Sequence, residues 1–195
     1  MKLLLPLLAT TSLASASLTK ATRQSGTIVY PYATYRYWVN SGNFIEDPQD
    51  QLLVNKNGNL ADETTAIVTF DVPADLAGRK CTLAFDLWRD RDISTGTMEE
   101  DVFTATKPTG AQRSTANVAK VSKDTAEFIV QSRDKHVGRI HTPAPGPAEW
   151  IQSYEGYPEF DCPAGQIIGF EFVGVGDAVT LQWDIGVTGP TVQVV

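Results

Sequence analysis

Thr65-Ala66-Ile67-Val68-Thr69-Phe70-Asp71-Val72-Pro73 decides the fold class of this chain. Ala66, Val68, Phe70 and Val72 are apolar, Thr65, Thr69 and Asp71 alternate with them, and Pro73 ends the run. Successive side chains of a strand point to opposite faces, so this alternation predicts a half-buried strand. A turn through residues 75–78 leads to a second such run, in which Cys81, Leu83, Phe85 and Leu87 are apolar against Lys80, Thr82 and Asp86. Cys81 is therefore expected to point inward. Farther along, Ala126, Phe128 and Val130 alternate with Glu127 and Gln131. Ile168, Phe170 and Phe172 enclose Glu171, and Val179, Leu181, Trp183 and Ile185 alternate with Thr180, Gln182 and Asp184. Shorter candidates are residues 28–32, 35–39, 51–54 and 101–106, and Asn57-Gly58 is a dipeptide suited to a hairpin turn. No segment carries a sustained helical stripe. About eight short strands, each with one polar face, predict an all-β, mainly antiparallel β-sandwich. Residues 142–158, with Pro143, Pro145, Pro147 and Pro158, read as a long surface loop.

The 195 residues are 42% hydrophobic and 20% charged, which suits one domain with a substantial core. Sixteen basic against 23 acidic residues give a net charge of −7, which disfavours nucleic acid and anionic membranes as partners. Residues 1–16 open with Lys2, continue through the apolar run from Leu3, and end in Ala14-Ser15-Ala16, the pattern of a signal peptide cleaved after Ala16. The run is too short for a permanent membrane anchor. The expected organisation is a signal peptide over 1–16, a tail over 17–25 and a single β-sandwich domain over 26–195. Secretion places Cys81 and Cys162 in an oxidising compartment, where one disulfide is the simplest use of two cysteines. Two buried thiols are the alternative, and a cysteine nucleophile lacks a histidine near it in sequence.

Three stretches together carry a family resemblance: Phe70-Asp71-Val72-Pro73, then residues 77–85 (AGRKCTLAF), and downstream residues 160–166 (FDCPAGQ). Their pattern and spacing resemble the secreted fungal proteins grouped under the ubiquitin-three-binding protein C-terminal domain, over about Gly26 to Pro190. The resemblance implies a β-sandwich on cell-wall or secreted proteins and brings no catalytic residues with it. The intracellular partnership in the family's name conflicts with a signal peptide on this chain.

Four of the six tyrosines, Tyr30, Tyr32, Tyr35 and Tyr37, fall within eight residues and precede Trp38. Flat aromatic faces stack on sugar rings, which makes Tyr35, Tyr37 and Trp38 one candidate platform, and Tyr35 with Tyr37, or Arg36 with Trp38, would share a face. Ordinary core and cross-strand packing accounts for the same residues. Trp150, Tyr154 and Tyr157 form a second candidate cluster in the proline-rich stretch. Glu155 and Glu171 are the candidate pair for glycoside hydrolysis, which needs two carboxyl groups about 5–9.5 Å apart. Asp86, Asp90 and Asp92 offer oxygen ligands for calcium, but Arg89 and Arg91 between them neutralise the acids, so no metal is expected. His136 and His141 lack a third ligand at metal spacing. No phosphate-binding glycine loop and no nucleophile elbow is present, and no cofactor is expected.

The reading that results is a non-enzymatic secreted or cell-wall-associated protein with an adhesion or binding role, its partner a cell-wall polysaccharide or an extracellular protein. A small glycoside hydrolase and a secreted effector-like interaction protein are the alternatives.

Overall fold

In the computed structural model, which describes residues 26–105 and 133–195, the alternating runs become paired strands. In chain order these are β1 (Ile28–Val29), β2 (Ala33–Trp38), β3 (Phe44–Glu46), β4 (Leu52–Lys56), β5 (Thr64–Asp71), β6 (Lys80–Leu87), β7 (Ile93–Gly96) and β8 (Glu99–Ala105). After the undescribed segment come β9 (Arg133–His141), β10 (Gly146–Pro147), β11 (Glu149–Ser153), β12 (Glu159–Asp161), β13 (Ile167–Gly174), β14 (Val179–Gln182) and β15 (Gly189–Val194). Every pairing among the described residues is antiparallel. The smaller sheet runs β1-β15-β6-β10, with β12 also on β6, and the larger runs β11-β9-β8-β13-β5-β4-β14-β7, with β2 on β5 and β3 on β2. The fold is the expected β-sandwich, with one short 3-10 turn, Ala74–Leu76, among the described residues.

The core lies where the two apolar phases meet. Cys81, Leu83, Phe85 and Leu87 of β6 and Val192 and Val194 of β15 face Val68, Phe70, Phe170, Phe172 and Leu181 of the larger sheet, all buried. Phe85 sets the layer contact, meeting Phe172 and Trp183 edge-on at 5.2 Å between ring centres in both cases. Trp183 keeps the inward phase of β14 one residue beyond the strand's end. It is enclosed because Gly189 has no side chain: a Cβ there would stand 2.5 Å from the indole nitrogen, on a backbone with φ +95°.

Several elements differ from the expectation. Residues 142–158 are not one surface loop. They contain β10, which pairs with β6, and β11, which pairs with β9. Pro147 is compatible with this because β10 is an edge strand. In β11, Glu-Trp-Ile-Gln-Ser has no alternation to read, since it too is an edge strand and lies largely exposed. β9 escapes notice because, among its residues from Lys135 to His141, only Val137, Gly138 and Ile140 are buried, and a bulge against β8 between Val102 and Phe103 breaks their phase. β15 begins with Gly-Pro and alternates only through Val192 and Val194. Residues 1–25 and the strand expected at 126–131 lie outside the described residues.

Cys81 and Cys162 form a disulfide across 81 residues of sequence, tying β6 to the chain just after β12. Beside it Lys80 Nζ meets Asp161 Oδ1 at 2.8 Å, but both side chains are exposed and the pair adds little. In the chain-entropy model a loop of this length contributes about 4.5 kcal/mol by restricting the unfolded state. The Cys81→Ala/Cys162→Ala variant should lower the urea unfolding free energy by about that amount. A loss below about 1 kcal/mol would show that the bridge restrains little.

Candidate functional site

The tyrosine-rich strand β2 splits its aromatic residues between two faces. Tyr35 lies opposite Ile67 and Tyr37 opposite Thr65, on the outer face of the larger sheet. There Tyr35 is buried with Ala33 and Ile67, with Tyr37 and Ala105 packed against them. Burial, reinforced by the charge of Glu46, raises the Tyr35 hydroxyl far above the ordinary tyrosine range. Tyr35 is thus a packing residue. Arg36 and Trp38 share the other face, and the guanidinium carbon lies 4.6 Å from the centre of the indole ring.

This second face opens into a cleft of about 300 Å³ between β2 and β4, across the start of β5. Trp38 and Leu52 are its apolar walls, and Arg36, Asp50, Asn55, Asn57, Asp62 and Thr64 supply polar groups. Arg36 Nη1 donates to Asp50 Oδ1 and Oδ2 at 2.8 and 2.9 Å and to the Leu52 carbonyl at 2.9 Å. Those bonds hold the Asp50 carboxyl below its usual range. The loop after β4 is shaped by Asn57 Oδ1, which accepts from Asn59 N, and by Gly58 at φ +83°, so the Asn-Gly dipeptide turns where expected. Across it Asn55 pairs with Thr64. Asn55 Nδ2 donates to the Asp62 carbonyl, and Asp62 Oδ2 accepts from Asn59. Arg36 Nε is enclosed without a partner, and four further functions facing the cleft have none among the described residues: Arg36 Nη2, Asn57 Nδ2, Asn55 Oδ1 and Asp62 Oδ1. The cleft therefore presents donors and acceptors together beside an aromatic wall.

The second aromatic cluster divides as well. Trp150 donates its indole N–H to the Leu83 carbonyl and stacks on Tyr157, which stacks in turn on Phe160 and meets Phe170 edge-on. These rings close one side of the core, and burial pushes the Tyr157 hydroxyl up to about 12. Tyr154 stays exposed, with its hydroxyl on Gln152 and its ring against the edge of His136. Trp88 was not among the candidates, yet it is 60% exposed. The alternation that puts Leu87 inside puts Trp88 outside, so the signal was present.

The two candidate acids have different settings. Glu171 is buried on β13, where it accepts from Thr65 Oγ1 at 2.8 Å, and Glu155 is exposed beyond β11, beside Lys135. β8 and β9 lie between β13 and β11, so roughly 14 Å of sheet separates the backbones, and each carboxyl turns to a partner of its own, Thr65 on β5 and Lys135 on β9. Asp92 turns inward and accepts from Arg89 N, Asp184 N and Thr188 Oγ1, which ties two turns together, while Asp90 is exposed. His136 stacks on Phe103 and faces Asp101, and His141 lies opposite Glu99 and Glu149. Among the described residues no three His, Cys, Asp or Glu side chains gather as a metal would need. None of the helices among them is long and apolar enough to cross a membrane.

Residues 45–184 match the family model of the ubiquitin 3 binding protein But2 C-terminal domain. The chain belongs to this family. The But2 match is narrower than the Gly26 to Pro190 span of the resemblance. It runs from within β3 to just past β14 and therefore covers both cysteines and the Asp50-to-Thr64 side of the cleft. Arg36 and Trp38 on β2 precede the But2 segment, and β15 follows it. No curated protein matches the chain.

Glu100 on β8 is the most enclosed acid among the described residues: fully buried, with Oε2 accepting from Thr142 Oγ1 at 2.8 Å and Oε1 without a partner. Burial pushes its carboxyl up to about 8. The folded state thus binds a proton that the unfolded state releases near pH 4.5. Stability is full below that pH and declines as pH rises toward about 8, by a total on the order of 5 kcal/mol. Thermal melts at pH 5 and pH 8.5 should show this loss in the native sequence and a much smaller one in Glu100→Gln. An equal loss in both would assign the pH dependence to other groups.

Proposed function

We propose that this protein is a non-catalytic binding domain that acts outside the cell or at the cell wall, with polysaccharide as its ligand in the Arg36–Trp38 cleft. The observation that carries the reading is the set of unpartnered donors and acceptors beside the Trp38 wall. Sugar hydroxyls donate and accept at once, and the C–H faces of sugar rings favour aromatic surface. The extracellular setting is supported by the signal-peptide pattern of residues 1–16 and by the disulfide, a bond that oxidising compartments maintain.

A second reading, protein binding, draws on the family's description as a ubiquitin 3 binding protein domain and on the Trp88 turn. Trp88, Arg89 and Arg91 are exposed on a turn held by Asp92, and Trp and Arg are the residues that dominate protein interfaces.

Retention on insoluble chitin, glucan and cellulose tests the proposal. The protein should be retained on at least one, Trp38→Ala should weaken retention about tenfold, and Trp88→Ala and Tyr154→Ala should leave it unchanged. No retention on any of the three would remove the polysaccharide ligand. Loss on Trp88→Ala alone would move the binding surface to that turn.

A further inference from the structure

The cleft also carries information about which sugars fit, an inference that rests on the reading of the cleft as a polysaccharide site. Its lining has one cation and two carboxylates. The charge of Arg36 is already matched: Nη1 spends its donors on both oxygens of Asp50 and on the Leu52 carbonyl. Asp62 on the opposite side has no cation bonded to it; Oδ2 takes an amide N–H from Asn59, and Oδ1 remains open. The local balance is therefore −1, within a chain of net −7.

We infer that the cleft selects neutral sugars presenting adjacent hydroxyls and rejects uronates, with Asp62 as the discriminating residue. A hydroxyl pair satisfies both kinds of open group, donating to Asp62 Oδ1 or Asn55 Oδ1 while accepting from Arg36 Nη2 or Asn57 Nδ2. Where Arg36 or Asp62 is the partner, such a bond has one ionised member, which strengthens it. A carboxylate can only accept. It would compete with Asp50 for Arg36, leave Asp62 Oδ1 without a donor, and add a negative charge beside an uncompensated one. Arg36 cannot turn toward such a ligand cheaply, because its side chain is 11% exposed and Nε is already enclosed without a partner.

Calorimetric titration at low salt with matched ligands tests this. The probes are hexamers of glucose and of N-acetylglucosamine, together with oligogalacturonate as the free acid and as its methyl ester, which removes the charge and keeps the ring. At least one neutral hexamer should bind. The methyl ester should bind about tenfold more tightly than the free acid, the factor expected from a unit-charge repulsion across roughly 5 Å of partly screened solvent. Asp62→Asn, which keeps an acceptor for Asn59, should bring that ratio near one. Free acid bound as tightly as its ester, or an unchanged ratio in Asp62→Asn, would overturn the selectivity while leaving a sugar site standing. Failure of every saccharide to bind would overturn the sugar site itself, and the selectivity with it.

Discussion

Phe85 is the contact on which the arrangement of the two sheets depends. One ring from the middle of β6 meets both Phe172 on β13 and Trp183 just after β14, so a single side chain aligns the smaller sheet against two parts of the larger one. Edge-to-face geometry adds directionality to what would otherwise be apolar burial alone. Trp183 then constrains β15, since the indole fits only against the bare backbone of Gly189, and Gly189 lies opposite Asp86 in the β6 ladder. A closed circuit results: β6 positions Trp183, Trp183 requires Gly189, and Gly189 starts the strand that pairs with β6. Asp92 braces this end by joining its turn to Asp184 and Thr188, and the disulfide braces the start of β6.

The cleft lies where this packing ends. β2 pairs with β5 along its whole length, with Trp38 opposite Thr64 at the start of β5 and Arg36 opposite Ala66 at the edge of the core. A guanidinium can be kept at such a margin because Asp50 matches its charge and the Leu52 carbonyl takes a further hydrogen bond. The site is therefore a by-product of strand length: the side of β2 that faces the core farther back becomes the wall of a cleft.

Where a strand is half-buried and regular, its sequence states its role. β5, β6 and β13 were legible for that reason, and the inward direction of Cys81 followed from its phase in β6. β9 and β11 were not, because a bulge interrupts one and the exposed edge of the other imposes no alternation. At the site, alternation correctly implied that Arg36 and Trp38 share a face, but it could not say which phase of the tyrosine-rich run would be buried. Tyr35 and Tyr37 pack on the outer face of the larger sheet, and Trp150 and Tyr157 seal the core, so four of the six aromatic candidates serve packing. Asp50, Asn55 and Asp62 carried no signal of their own. They become site residues only because the Asn57-Gly58 turn folds β4 and the start of β5 against the end of β2.

The central claim is that this cleft, and no other surface, receives the ligand. Nuclear magnetic resonance of the isotopically labelled protein during titration with a neutral oligosaccharide tests it most directly. The account predicts shifts concentrated on the Arg36 Nε–H, the Trp38 indole N–H and the side-chain amides of Asn55 and Asn57. Shifts centred instead on Trp88, or on Tyr154 and His136, would contradict it.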